Sequence, residues 1–179
     1  MERFSGFVKR TVLALNRSRV KYMLTGAVAS SYYGRPRSTH DIDVVINCNQ
    51  RELPELADEL TKASLDVTLT TLRKSWKSDY AIATINDNHG PHVLDLIVTK
   101  EKLLRRTGRI VNLSTYYESA ESLILAKLRM LKVSIDPEKS AIDRGDIRAI
   151  LKTTPVGLKS LSKRAKTQGT YRILEEIME

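Results

Sequence analysis

The sequence contains a single cysteine, Cys48, among its 179 residues. One thiol excludes an internal disulfide, and proteins without disulfides are typical of a reducing compartment, so a cytoplasmic setting is expected. No apolar run is long enough to cross a bilayer, because the longest uncharged stretch, 22–34, is interrupted by glycine, threonine and serine. The N-terminus lacks a secretory pattern. Neither a membrane protein nor a disulfide-stabilised secreted domain is therefore expected.

Aromatic residues are scarce, at 6% of the chain, whereas positive charge is in excess. Of the net charge of +9, residues 1–95 contribute +2 and residues 96–179 contribute +7. Such an excess attracts polyanions, but it is equally typical of solvated basic helices, and charge alone does not decide between them. The basic half has few aromatic residues, so it gives little indication of a base-stacking surface.

The spacing of apolar residues predicts an α/β (α+β) fold, in which helices flank a mixed β-sheet and a helical part follows. The sheet and its helices are expected in residues 1–115, and residues 116–179 are expected to form a helical region packed on that core. The predicted helices are 3–18, 28–33, 51–63, 118–132, 138–151, 158–167 and 170–178, and the predicted strands are 22–24, 41–46, 67–69, 80–85 and 92–98.

Two carboxylates, Asp41 and Asp43, lie two residues apart in an otherwise apolar segment. Side chains alternate along a strand, so both acids face one side of the sheet while Ile42 and Val44 face the other. Like charges held side by side repel each other, and a cation between them relieves the repulsion. Carboxylate oxygens suit Mg²⁺, which also accepts substrate phosphates as ligands.

A third acid, Asp95, repeats this situation in a later apolar strand. If that strand lies beside the strand of Asp41 and Asp43, three carboxylates meet at one place. Such a set can hold two Mg²⁺ ions, which stabilise both oxygens of an in-line phosphoryl displacement. Asp41, Asp43 and Asp95 are therefore the predicted metal ligands and catalytic residues, with Asp95 as ligand or general base.

A phosphate-binding turn is expected at Gly26, directly before a predicted helix. Backbone N–H groups at a helix N-terminus bind phosphate, and glycine allows its close approach. Arg35 and Arg37 lie in the loop before the acidic strand, where their guanidinium groups match phosphate oxygens. Both arginines are also consistent with ordinary exposed loop charges.

The segment from Leu24 to Asp43 begins with Leu24-Thr25-Gly26-Ala27-Val28-Ala29 and ends with Tyr33-Gly34-Arg35-Pro36-Arg37-Ser38-Thr39-His40-Asp41-Ile42-Asp43. This segment resembles the DNA polymerase β-like nucleotidyltransferase superfamily. Within that superfamily it is most similar to the stand-alone, minimal nucleotidyltransferases related to AbiEii-type toxins. Segments 121–128 and 143–147 are similar to that group's later lysine and aspartate motifs. The match runs loosely over residues 20–152 and is specific only in the first segment.

The resemblance implies transfer of a nucleoside monophosphate from an NTP, such as ATP, to a hydroxyl group in the presence of Mg²⁺. It places the phosphate-binding turn on Gly26 and Ala27, a phosphate-contacting lysine on Lys127 and a supporting aspartate on Asp143. The implied acceptor is RNA, a tRNA end among the candidates, or a protein hydroxyl. The implied role is the toxin of a toxin–antitoxin pair, with an antitoxin as partner; the oligomeric state stays open.

The chain departs from the family pattern at Ala27, where relatives usually have glycine or serine after Gly26. This departure keeps open an alternative: a catalytically inactive nucleotidyltransferase fold that serves as a nucleotide- or partner-binding module. A third hypothesis, a basic nucleic-acid-binding protein without a nucleotide site, leaves the acids of the apolar strands unexplained.

Overall fold

The structure is a computed structural model and describes residues 3–78 and 82–179. Six strands and four helices are interspersed in the first two thirds of the described chain, and the last third is helical. The helices are α1 (Phe4–Arg17), α2 (Gly26–Tyr33), α3 (Leu53–Lys62), α4 (Leu69–Lys77), α5 (Ala120–Val133), α6 (Pro137–Thr153), α7 (Leu158–Thr167) and α8 (Tyr171–Met178). The strands are β1 (Lys21–Leu24), β2 (Asp41–Asn47), β3 (Ile82–Asn86), β4 (Val93–Val98), β5 (Arg105–Ile110) and β6 (Leu113–Glu118).

The strands form one mixed sheet in the order β3-β4-β2-β1-β6-β5. The pairs β2–β4 and β1–β6 are parallel, and the remaining neighbours are antiparallel. Along β2 and β4 the side chains alternate between buried and accessible. The buried set is apolar, and Ile42, Val44, Leu94 and Leu96 are at most 1% exposed. One face of these strands therefore belongs to the core, and the other stays accessible. The predicted α/β fold class is confirmed.

Two compact units emerge from the contacts within the chain. The first combines the chain up to Val28 with Ser38–Glu118 and contains the sheet, α1, α3 and α4. The second combines Ala29–Arg37 with Ser119–Glu179 and contains most of α2 and the helices α5 to α8. The expected division between residues 115 and 116 stays a prediction.

The predicted strand at 67–69 is wrong, because this segment begins helix α4. Thr68 is its N-cap, and the Thr68 side chain accepts a hydrogen bond from the Thr71 backbone N–H. Threonine favours strands in propensity, but its hydroxyl also satisfies a free N–H at a helix start, and here the cap prevails. Of the predicted strand at 80–85, residues 80 and 81 lie outside the described residues. In the described part of the chain, no helix has both the length and the hydropathy that crossing a membrane requires.

The thiol of Cys48, directly after β2, is half-buried, and burial raises its pKa to about 11, with a smaller contribution from the Glu52 carboxylate. At pH 8 a thiol with this pKa is almost entirely protonated, and only the thiolate reacts with alkylating reagents. We expect iodoacetamide to modify Cys48 about 100-fold more slowly in the folded protein than in urea. Mass spectrometry of timed samples measures both rates. Equal rates would contradict the prediction, and Glu52→Gln should accelerate the folded-state reaction modestly.

Candidate functional site

Strands β2 and β4 place the predicted acidic residues on one face of the sheet. Their parallel register aligns Asp43 with Asp95 and Asp41 with Val93. Aligned residues of neighbouring strands point to the same side, and residues two apart in one strand do likewise. Asp41, Asp43 and Asp95 therefore share the accessible face, opposite the buried Ile42. Asp43 and Asp95 are direct neighbours, although about fifty residues separate them in sequence.

Thr84 orients the carboxylate of Asp95 from the neighbouring strand β3. The antiparallel register aligns the two residues, and the Thr84 hydroxyl donates a hydrogen bond of 2.7 Å to Asp95 Oδ1. Thr84 is not among the site residues predicted from the sequence. The predicted hairpin of β3 and β4 could have revealed Thr84, because pairing the two strands outward from their turn brings residue 84 opposite residue 95.

Gly26 lies against the carboxylate of Asp43. Its φ of +59° is in the left-handed region, and a Cβ atom built on it would lie only 2.0 Å from Asp43 Oδ2. The antiparallel pairing of β1 with β2 continues up to this point, since the Thr25 N–H donates to the Asp43 carbonyl at 2.9 Å. Only glycine fits both the backbone conformation and this close approach. The structure thus brings the predicted phosphate turn at the start of α2 into contact with a predicted metal ligand.

Replacing Gly26 with alanine is expected to lower the free energy of unfolding by at least about 1–2 kcal/mol, because alanine resists positive φ and its methyl group displaces the Asp43 carboxylate. Urea denaturation measures the change. Gly145→Ala is the matched control, since that glycine lies within α6 and a Cβ there meets no atom within 4 Å. Alanine at position 145 should stabilise the protein by about 0.5–1 kcal/mol through helix propensity. Equal effects of the two substitutions would show that the Gly26 contact is unimportant.

A further acidic residue, Glu118, lies beside the predicted phosphate turn. It ends strand β6 and is buried, and it accepts a hydrogen bond of 2.5 Å from the hydroxyl of Thr25, the residue before Gly26. The parallel pairing of β1 with β6 creates this contact between residues that are distant in sequence. No local motif marks Glu118, so the sequence analysis did not identify it.

The three predicted metal ligands have the donor chemistry of a magnesium site. Carboxylate oxygens on one accessible sheet face fit a hard divalent cation. Within residues 3–78 and 82–179, however, no three histidine, cysteine, aspartate or glutamate side chains are grouped closely enough to hold one metal ion. The structure brings Asp43 and Asp95 together, whereas the convergence of Asp41, Asp43 and Asp95 on one ion stays a prediction.

In the second unit, Lys127 is the centre of an ion-pair network with two aspartates. Lys127 Nζ lies 2.6 Å from Asp143 Oδ1 and 2.9 Å from Asp146 Oδ2, and Arg37 Nε lies 3.4 Å from the same Asp146 oxygen. Lys127, Asp143 and Asp146 are all buried. Asp143 and Asp146 are three residues apart in α6 and so lie on the same side of that helix.

This network gives Lys127 and Arg37 acidic partners within their own unit, while Arg35 is exposed. The expected contacts of Lys127, Arg35 and Arg37 with nucleotide phosphates, and the supporting role of Asp143, stay predictions. Asp146, which the sequence analysis did not assign to the site, completes the network.

No protein-family model and no curated protein matches the chain. Among solved structures, the crystal structure of ANT(2'')-Ia in complex with adenylyl-2''-tobramycin is similar, with a TM-score of 0.65 and 14% identity over 93% of this chain and 98% of that one. A solution structure of the same antibiotic-resistance factor gives a TM-score of 0.63 and 15% identity over 96% and 95% of the two chains. An antigenic nucleotidyltransferase-like protein from Paracoccidioides brasiliensis gives a TM-score of 0.55 and 19% identity over 94% and 92%.

The chain has a nucleotidyltransferase fold. The likeness extends over nearly the whole length of both partners in each comparison, so it includes the sheet as well as the C-terminal helices. This likeness shows the fold that was expected from the sequence. The resemblance to the AbiEii-type group stays a prediction.

Proposed function

We propose that this protein is a nucleotidyltransferase, which transfers a nucleoside monophosphate from an NTP to a hydroxyl group. The observation that carries the proposal is the contact between the two predicted halves of the site. Asp43 is aligned with Asp95 across parallel strands, and its carboxylate touches Gly26 at the start of α2. The fold shared with nucleotidyltransferases supports the same conclusion.

In the proposed reaction, the acceptor oxygen attacks the α-phosphorus, the bond to the bridging oxygen breaks, and pyrophosphate leaves. The backbone N–H groups of Gly26 and Ala27 at the start of α2 bind phosphate oxygens. Asp95, oriented by Thr84, accepts the proton of the acceptor hydroxyl. Asp41, Asp43 and Asp95 would hold Mg²⁺, which when bound neutralises charge on the triphosphate and on the departing pyrophosphate.

The proposed acceptor is RNA, with a tRNA end as the first candidate and a protein hydroxyl as the second. The net charge of +9 favours a polyanionic acceptor. The same charge disfavours an aminoglycoside, which carries several positively charged amines, although ANT(2'')-Ia was crystallised with adenylyl-2''-tobramycin. We further propose, from the resemblance of the Leu24–Asp43 segment, that the protein acts as a toxin beside an antitoxin partner.

Incubation with each of the four α-³²P-labelled NTPs and Mg²⁺ tests the proposal. Total RNA, purified tRNA, a protein extract and tobramycin serve as separate acceptors. We expect label in RNA from at least one NTP and no label after metal removal by EDTA. Label in tobramycin alone would contradict RNA as the acceptor and would indicate a small-molecule acceptor.

The alternative is an inactive nucleotidyltransferase fold that binds a nucleotide or a partner, and Ala27 after Gly26 favours it. Alanine keeps the backbone donor of a glycine or serine but lacks the serine hydroxyl and the backbone freedom of glycine. Calorimetric titration with NTP separates the two functions. Binding of NTP without incorporation into any acceptor would support the inactive module and overturn the transferase.

A further inference from the structure

A basic groove lies in the first unit, apart from the acidic residues. It consists of two cavities of about 440 and 430 Å³ that share Lys21, Asn47 and Lys100 in their walls. Because the walls are shared, the cavities adjoin and form one groove. Its basic side chains are Arg19, Lys21, Lys100, Lys102 and Arg105. The last three belong to the more basic half of the sequence, residues 96–179.

The sheet fixes the groove at the end of β2 that is remote from the predicted metal ligands. Asp41 is the first residue of β2 and Asn47 the last, and Asn47 is paired with Lys21 of β1. The Asn47 amide donates hydrogen bonds to the carbonyls of Thr99 and Glu101, at 3.3 and 3.0 Å. These bonds hold the loop after β4, which carries two of the lysines. Lys100 and Lys102 therefore extend from a loop that is hydrogen-bonded to the end of β2.

Aromatic rings accompany the cations. Trp76, the single tryptophan of the chain, lines the groove, and its indole N–H donates to the Cys48 carbonyl at 3.0 Å. The Lys100 ammonium lies 5.7 Å from the centre of the Trp76 ring. At the other cavity, the Arg105 guanidinium lies 3.8 Å from the centre of the Tyr116 ring. Of the two rings, that of Trp76 lines the groove, whereas Tyr116 contacts the groove residue Arg105.

One acidic side chain, Glu52, lines the groove, and its carboxylate accepts a 2.7 Å hydrogen bond from the Asn49 backbone N–H. Among the described residues that line the groove, five are basic and one is acidic, so the lining is predominantly positive. An acidic peptide would satisfy the charges but would leave the Trp76 ring without a stacking partner. Single-stranded nucleic acid satisfies both, because phosphates pair with lysine and arginine while bases stack on aromatic rings.

We propose that the basic groove binds the backbone of single-stranded nucleic acid, with phosphates against Lys21, Lys100 and Lys102 and a base against Trp76. The groove contains none of the predicted metal ligands. Binding therefore requires neither NTP nor Mg²⁺. The proposal of nucleic-acid binding can be tested independently of the proposed transfer reaction.

Fluorescence anisotropy of a labelled, unstructured 20-nucleotide RNA tests the proposal with the full chain over a series of salt concentrations. A DNA strand of the same sequence, a DNA duplex and polyglutamate are the comparison ligands. The triple substitution Lys21→Ala, Lys100→Ala and Lys102→Ala should weaken RNA binding at least about tenfold and flatten the salt slope by about 2. Trp76→Leu should weaken binding about fivefold or more and leave the salt slope unchanged.

The matched control is the triple substitution Lys139→Ala, Lys159→Ala and Lys163→Ala, which removes the same charge from exposed lysines of the second unit. We expect it to change RNA affinity less than about threefold. RNA should also quench Trp76 fluorescence, and single-stranded RNA and DNA should both bind more tightly than duplex or polyglutamate. Equal losses in the two triple variants, stronger duplex or polyglutamate binding, or undetectable RNA binding at low salt would each overturn the proposal. Urea midpoints of the variants establish that they are folded.

Discussion

Replacing Asp43 with asparagine is expected to lower the rate of nucleotidyl transfer by about 10³-fold. The two side chains have nearly the same size, so the contact with Gly26 and the packing of β2 are retained. What is lost is one negative charge, at the position where β2, β4 and the start of α2 meet. If this charge holds the cation that stabilises the triphosphate, its removal acts on the transition state more than on folding.

Initial rates of labelled-nucleotide incorporation, measured at saturating NTP, give the size of the effect. Asp66→Asn is the matched control, because it is the same substitution at an exposed position outside β2 and β4, and its rate should stay within about twofold of the original. Asp95→Asn should resemble Asp43→Asn, whereas Thr84→Val should cost less, since Thr84 only positions Asp95. Transfer by Asp43→Asn at the unaltered rate would exclude the proposed site.

Replacing Lys127 with methionine is expected to lower the free energy of unfolding by about 3–5 kcal/mol. Methionine fills a similar volume, so the cost comes from charge rather than from a cavity. Asp143 and Asp146 would lose the ammonium group that lies 2.6 and 2.9 Å from their oxygens. Arg37 forms an ion pair with Asp146, at 3.4 Å, and therefore compensates the two buried carboxylates incompletely.

Urea denaturation of the complete chain measures this loss. Lys163→Met, at an exposed position of α7, is the control and should change stability by less than about 0.5 kcal/mol. The triple variant Lys127→Met, Asp143→Asn and Asp146→Asn should recover a large part of the loss, because it removes the unpaired charges together with the lysine. A small effect of Lys127→Met, or no recovery in the triple variant, would show that the network contributes little to stability.

Sequence reasoning succeeded where one local pattern dominated. The alternation of acidic and apolar residues in β2 and β4 revealed two strands with one polar face, and the turn residues at 86–91 revealed the hairpin that joins β3 to β4. The apolar spacing in the last third of the chain similarly revealed α5 to α8. Each of these elements is encoded by residues close together in sequence.

The hairpin of β5 and β6 was missed because its turn and its outer strand lack the usual signals. The turn is formed by Val111 and Asn112, which both have positive φ, at 42° and 67°. Asparagine is common in such turns, but a β-branched residue at positive φ is rare. Strand β5 lies at the edge of the sheet and contains three arginines and a glycine, so its composition does not resemble a strand.

The site was predictable only in part, for a related reason. The proximity of Asp95 to Asp41 and Asp43 was expected on the assumption that their strands are neighbours, but the register that pairs Asp43 with Asp95 was not. The contact of Glu118 with Thr25 and the ion pairs of Asp146 also link distant segments. A single sequence contains no periodicity that reports such contacts, because they are set by strand order and helix packing.

The parallel alignment of β2 with β4 also has a consequence for the newly synthesised chain. Asp43 leaves the ribosome about fifty residues before its partner Asp95, and the sequence separation between β1 and its parallel partner β6 is longer still. Parallel strands pair only after the intervening crossover has been made, and such long-range pairing is slow. A truncated translation product that ends before β4 would therefore lack Asp95 and the strand pairing that places it beside Asp43, so the acidic face is completed only after synthesis is well advanced.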